Sequence, residues 1–231
     1  DVERSRGLGD VYKRQGLRNV PTEEFSRYIP FSCRFINDAN AAGLAEVRDL
    51  ESPRSLVYLS LSNSVGGAIL TGGALYGGDH LRAGEFGHNT LVPDGRPCYC
   101  GKKGCLDAYC SAKVLSQLTD GNLALFFDGL RSGNAALQTA WNEYLSYLAV
   151  AVNNLRMTFD CDVIVGGYVG GFLAEFGEPL REMLVERNTF EPDSSYLKFS
   201  RYRLEASALG AALLHIEAVS YTHLTLPTKL E

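Results

Sequence analysis

Four residues, His88, Cys98, Cys100 and Cys105, have the types and the spacing of a metal knuckle, His-x9-Cys-x-Cys-x4-Cys. Imidazole and thiolate are the usual zinc ligands. One His and three Cys complete a tetrahedron, which leaves no open position and makes the metal structural rather than a Lewis acid. Gly95, Pro97, Gly101 and Gly104 allow so short a loop to fold back on itself. The alternative is a set of reduced loop cysteines beside an unrelated histidine. Glu85 precedes His88 by three residues and Asp107 follows Cys105 by two. A metal tying these segments together also fixes both carboxylates, and carboxylates accept paired hydrogen bonds from vicinal hydroxyls such as those of a sugar. The plainer reading makes Glu85 a surface charge and Asp107 a complement to a helix dipole. Asn37 and Asp38 place an amide and a carboxylate at a helix start, where capping alone would account for them.

These side chains need elements to hold them. Residues 55–62 alternate and are rich in β-formers, which predicts a strand. A second strand follows over 65–70, with Thr71-Gly72-Gly73 as a hairpin turn and 74–76 as the return. Residues 77–104 are dominated by a glycine-rich loop, and a loop of that length in a compact domain is usually functional. Helices are predicted over 39–47 with Asp38 as the cap, and over 106–118, 124–131, 135–159, 173–186 and 205–216. The longest carries an apolar stripe of Leu137, Trp141, Leu145, Leu148, Val152 and Leu155. Short strands are expected at 162–165, ahead of Gly166-Gly167, and at 196–202. Strands mixed with long helices make an α/β protein.

Composition narrows the function. The 231 residues carry 22 Lys and Arg against 27 Asp and Glu, for a net charge of −5. Such a chain has no general attraction for nucleic acid or an anionic membrane. No apolar run approaches the roughly 18 residues of a membrane span. A tight cysteine cluster without a secretory apolar region points to the cytoplasm and to metal rather than disulfides. Residues 1–15 and 219–231 show no packing period and read as non-native tails, with flexible native tails as the alternative.

Taken together, several stretches resemble the ROK family (repressors, open reading frames, kinases). They are INDANAAGLAE from Ile36, GEFGH ending at His88, CYCGKKGCLDAYCSA from Cys98, VIVGGYVGG from Val163 and ASALGAALL from Ala206. The resemblance spans roughly residues 17–217. It implies the actin/hexokinase-like (ribonuclease H-like) two-lobed α/β fold, with sugar held between the lobes. Residues 16–54 would be a remnant of the N-terminal lobe and 55–218 the C-terminal lobe with the zinc knuckle. By position, the resemblance makes Asp38 the general base for the sugar 6-hydroxyl and Asn37 a ligand of ring hydroxyls. Glu85 and His88 would meet the anomeric end, His88 also ligating zinc. Asp107 stands where the family has a sugar-binding Glu. Gly66-Gly67 would belong to the second phosphate loop and Gly166-Gly167 to the adenosine loop. The implied partners are a hexose or amino sugar and a second copy in a homodimer. The implied cofactor is structural zinc, with Mg-ATP added only if the intact protein is a kinase.

Two departures bear on activity. No DxGGT-type phosphate loop is present, so the chain by itself is expected to be inactive toward ATP. In place of a GTGxGGG loop stands Ser62-Asn63-Ser64-Val65-Gly66-Gly67-Ala68, with side chains where bare backbone should approach phosphate. Tyr168 within GGYVGG points the same way. The favoured expectation is therefore the carbohydrate-sensing part of a transcriptional regulator, reaching DNA only through a helix-turn-helix domain absent here. The alternatives are a glucokinase-like hexose kinase whose first phosphate loop is missing, and a zinc-bound domain that binds no sugar.

Overall fold

A computed structural model describes residues 21–48, 55–202 and 204–224. The strands are β1 (Leu56–Leu61), β2 (Val65–Thr71), β3 (Ala74–Leu75), β4 (Asp162–Gly166) and β5 (Leu197–Phe199), in the order β3-β2-β1-β4-β5. β1 runs antiparallel to β2, with Leu61 opposite Val65, and parallel to β4, with Ser60 opposite Gly166. The β2–β3 turn falls where the glycines predict it: Gly72 and Gly73 have φ of 58° and 83°, the two positive values a type I′ turn needs.

The helices are α1 (Thr22–Ser26), α2 (Asp38–Val47), α3 (Asp107–Cys110), α4 (Ala112–Ser116), α5 (Leu123–Arg131), α6 (Ala135–Phe159), α7 (Gly167–Gly170), α8 (Leu173–Phe176), α9 (Glu178–Arg187) and α10 (Ala206–Leu224). They cover both faces of the sheet, so every residue of the central strand β1 is buried. Val57, Leu59 and Leu61 join Val163, Val165 and the α6 stripe from Trp141 to Leu155 in the larger core. Leu56 and Tyr58 point the other way, into a smaller core with Ala42 of α2, Ala68, Leu70, Ile164 and Ala206. The α2 segment, placed in the front lobe by the sequence, thus packs directly on the sheet. Among the described residues no helix is long and apolar enough to cross a membrane.

Three predicted helices differ from the observed ones. The 106–118 helix breaks at Ser111 (ψ 153°), because the Ala112 N–H turns away to the Ser62 carbonyl at 2.8 Å. The 173–186 helix breaks at Gly177, whose missing side chain makes room for the Phe199 ring, and restarts with Pro179 in its first turn. The 205–216 helix continues to Leu224, since no proline interrupts it before Pro227 and extending a helix is easier than starting one. Of the two segments read as tails, residues 1–15 and 225–231 lie outside the described residues, while 219–224 continue α10.

Candidate functional site

The start of α2 sets the two residues expected to do the chemistry. Asn37 is the N-cap, its Oδ1 accepting from the N–H groups of Ala39 (2.9 Å) and Asn40 (3.2 Å). The sequence placed the cap on Asp38. Asn37 takes it because it still has extended backbone (φ −62°, ψ 143°), as a cap requires, whereas Asp38 is already helical. Capping occupies the oxygen end of the Asn37 amide and leaves Nδ2 as its donating end. Asp38 accepts from Ala39 N–H at 2.8 Å, and its carbonyl accepts from the Ser207 hydroxyl of α10 at 2.9 Å.

The two residues open onto different cavities. Asn37 lines one of about 220 Å³ with Asn40, Gly66, Gly67, Gly84 and Glu85. Asp38 lines another of about 340 Å³ with Tyr58, the Ser62–Asn63–Ser64 bend and Gly167. Gly66 and Gly67, expected beside phosphate, therefore face the Glu85 cavity, and the bend just before them faces Asp38. Gly167 has φ 78°, and a Cβ there would sit 2.7 Å from both the Leu61 nitrogen and the Ser62 hydroxyl. Only glycine lets the β4–α7 turn lie this close to the bend. Gly166 lies against the Tyr58 hydroxyl, and burial pushes that phenol up to about 12, so it stays neutral on the wall of the Asp38 cavity.

Glu85 reaches the first cavity because Gly84 (φ 87°) turns the chain against the backbone of Gly67. A single 3-10 turn over Phe86–His88 follows, with Phe86 buried. Glu85 also lines a third cavity, of about 390 Å³, with Asn154 and Thr158 of α6. His88, at the end of that turn, presents Nε2 to the Tyr99 hydroxyl at 3.4 Å, while its Nδ1 is buried.

The metal-ligand expectation meets a matching geometry. One donor atom each from His88, Cys98, Cys100 and Cys105 lie within 4.8 Å of one another. The Cys100 and Cys105 sulfurs are 3.7 Å apart. Tetrahedral thiolates about 2.3 Å from zinc stand about 3.8 Å from each other, so the donor set fits that ion in type, number and spacing. Local backbone pairing shapes the loop: Pro97 bridges Lys103, Thr90 bridges Cys105, and Cys98 N–H donates to the Lys102 carbonyl at 2.8 Å. Burial pushes the Cys98 thiol up to about 12 and raises Cys105 as well. Burial acts on Cys100 too, but the Lys102 N–H and the neighbouring thiols outweigh it and hold Cys100 below the ordinary thiol range. Three thiolates this close would repel one another without a cation among them.

Asp107, expected as a sugar ligand, is placed against the start of β2. It is buried at 5% exposure, and its Oδ1 accepts from the Val65 N–H at 2.7 Å. Neither Asp107 nor His88 is among the residues lining the Asn37–Glu85 cavity. The sequence reading missed Asn40, Tyr58 and Tyr99. Asn40 was discoverable, since it lies three residues from Asn37 and so on the same helical face. Tyr58 looked like an ordinary strand residue, and nothing in its neighbours marks it.

Comparison with known proteins gives a consistent answer. The ROK family profile matches residues 10–218. An N-acetylmannosamine kinase of Escherichia coli is 35% identical over 188 residues, covering 78% of this chain and 63% of the relative. The chain thus spans less than two thirds of the curated relatives it matches. The ROK hexokinase of Thermus thermophilus superposes with a TM-score of 0.69 at 27% identity, over 88% of this chain and 72% of that one. A ROK family glucokinase of Streptomyces griseus, solved with glucose and AMPPNP, gives 0.72 at 25% identity, over 85% and 72%. These likenesses bear out the actin/hexokinase-like fold expected from the sequence. A match over this much of the chain, together with the paired cavities at the α2 start, leads to one statement: the chain belongs to the ROK family.

Proposed function

We propose that this chain is the sugar-binding and catalytic-base portion of an ATP-dependent kinase for a hexose or amino sugar, with N-acetylmannosamine the first substrate to try. One observation carries the reading: consecutive residues at the α2 start, Asn37 and Asp38, line two cavities, one with Glu85 and one with the Ser62–Ser64 bend and Gly167. The sugar occupies the first, with Asn37 and Glu85 on its hydroxyls. The nucleotide occupies the second. Asp38, on the nucleotide side and one residue along from Asn37, takes the proton of the attacking 6-hydroxyl as the new O–P bond forms and ADP leaves with the electrons of the broken bond. Little covalent work falls to the protein, so positioning supplies most of the rate. Magnesium enters with ATP as part of that substrate and neutralises its phosphates. His88, Cys98, Cys100 and Cys105 hold a structural zinc that steadies the Glu85 turn.

The regulator reading moves to second place, because the curated relatives matched at 35% identity are kinases. It keeps one supporting observation, the side-chain-bearing bend Ser62–Asn63–Ser64 on the nucleotide side. A coupled ADP-release assay on the full-length gene product separates the two, using N-acetylmannosamine, glucose and mannose. Turnover with one of them is the expected result. Sugar binding by titration without any ADP release would favour the regulator.

A further inference from the structure

The Ser62–Ser64 bend faces the Asp38 cavity, yet both of its flanks are held by one short segment next to the cysteine cluster. On the far side of the bend, Val65 N–H donates to Asp107 Oδ1 at 2.7 Å. On the near side, the Ser62 carbonyl accepts the Ala112 N–H at 2.8 Å. Asp107 opens α3 and Ala112 opens α4, and the break at Ser111 is what frees the second N–H to turn toward the bend. The segment begins at Cys105, which is fully buried, bridged to Thr90, and followed by Leu106 N–H donating to the Asn89 carbonyl at 2.9 Å. A chain of fixed contacts therefore runs from the cluster through Asp107 and Ala112 to the bend. Asp107 has no place in the Asn37–Glu85 cavity lining, and a carboxylate bonded to a buried N–H is a strong, directional anchor.

We propose that Asp107 is a positioning residue for the nucleotide-side bend, and that the cysteine–histidine cluster sets the bend through it. The inference rests on the kinase reading for its kinetic consequence but not for its structural one. A glutamate would be one methylene too long for the same contact with Val65. An asparagine keeps an acceptor oxygen at the same reach, and an alanine removes it.

Two measurements decide it. Hydrogen exchange on the zinc-reconstituted chain follows peptides covering residues 60–66, with 162–166 as the internal control. Asp107→Ala speeds exchange in 60–66 by about tenfold or more, as loss of a buried charge-assisted bond implies. Asp107→Asn stays near wild type, and EDTA treatment of the wild-type chain reproduces the alanine effect while 162–166 is unchanged. Unchanged exchange in 60–66 after both Asp107→Ala and EDTA overturns the proposal. If the alanine variant does not fold, the EDTA comparison alone decides. On the full-length protein, Asp107→Ala raises the KM for ATP by about tenfold while the KM for sugar moves less than about twofold, and Asp107→Asn restores the ATP value. A rise in the sugar KM in both variants, with the ATP KM unmoved, would make Asp107 a sugar ligand after all. A wild-type protein that turns nothing over refutes the kinase reading and leaves the exchange result standing.

Discussion

Asn37 and Asp38 differ by one group of atoms and one position, and they divide the work. Either is a good helix cap, so the sequence could not assign the cap; backbone conformation did, through the extended ψ of Asn37. Asp38 is thereby left at the first helical position, beside Ser207 and on the second cavity. In the full-length protein, Asp38→Asn should lower kcat by about 10²–10⁴, the usual worth of a positioned general base, while sugar affinity by titration stays within about twofold. Turnover close to wild type in that variant would remove Asp38 from the role. Glu85 was legible as an acid beside the cysteine–histidine cluster, and it lines the cavity that Asn37 also lines. His88 and Asp107 were equally legible as residues, but not as neighbours of that cavity, because their direction depends on the loop and on the start of β2.

At the scale of elements, helix α6 was the easiest to read: its stripe recurs on one face from Leu137 to Leu155, and the observed helix, of 25 residues, has the predicted bounds. The α3–α4 break was not readable, since it is caused by a hydrogen bond to a carbonyl fifty residues away in sequence. The crossing of α10 over α2 was readable only in part. The ASALGAALL stretch announces small residues, but not that Gly210 lies against the Ala41 carbonyl, with no room for a Cβ. Gly210→Leu should therefore push the helices apart and destabilise the chain by about 1–3 kcal/mol, measured as a lowered urea midpoint with an unchanged slope. A midpoint equal to wild type would mean that α10 does not hold α2. Because α2 carries Asn37 and Asp38, the same variant should weaken sugar binding.

For the molecule as a whole, the loop on which His88, Cys98, Cys100 and Cys105 converge lies beside the Glu85 turn, and the proposed zinc there would fasten that turn to the body that carries α2 and the sheet. The purified chain should hold one zinc, lost in Cys100→Ser, and metal removal should lower both its melting temperature and its sugar affinity. Sugar affinity unchanged by chelation would separate the cluster from the site. The pH dependence has a definite sign. With Cys98 pushed up to about 12 and Cys105 raised, both are protonated near neutrality in the absence of a cation, so binding must expel those protons. Zinc affinity should fall between about pH 8 and about pH 6, as protons compete more strongly, and competition with a chelator of known affinity reads it. An affinity flat across that range would argue against thiolate ligation.

The sequence by itself determined the family, the grouping of His88, Cys98, Cys100 and Cys105, the long amphipathic helix and the hairpin, because each rests on local spacing or on a periodic pattern that survives without coordinates. The tertiary structure alone decided which cavities Asp38 and Glu85 line, which of two capping residues caps, and that Asp107 is bonded to the start of β2. Those outcomes depend on contacts between segments distant in the chain, where a shift of a single bond redirects a side chain, and no spacing rule encodes them.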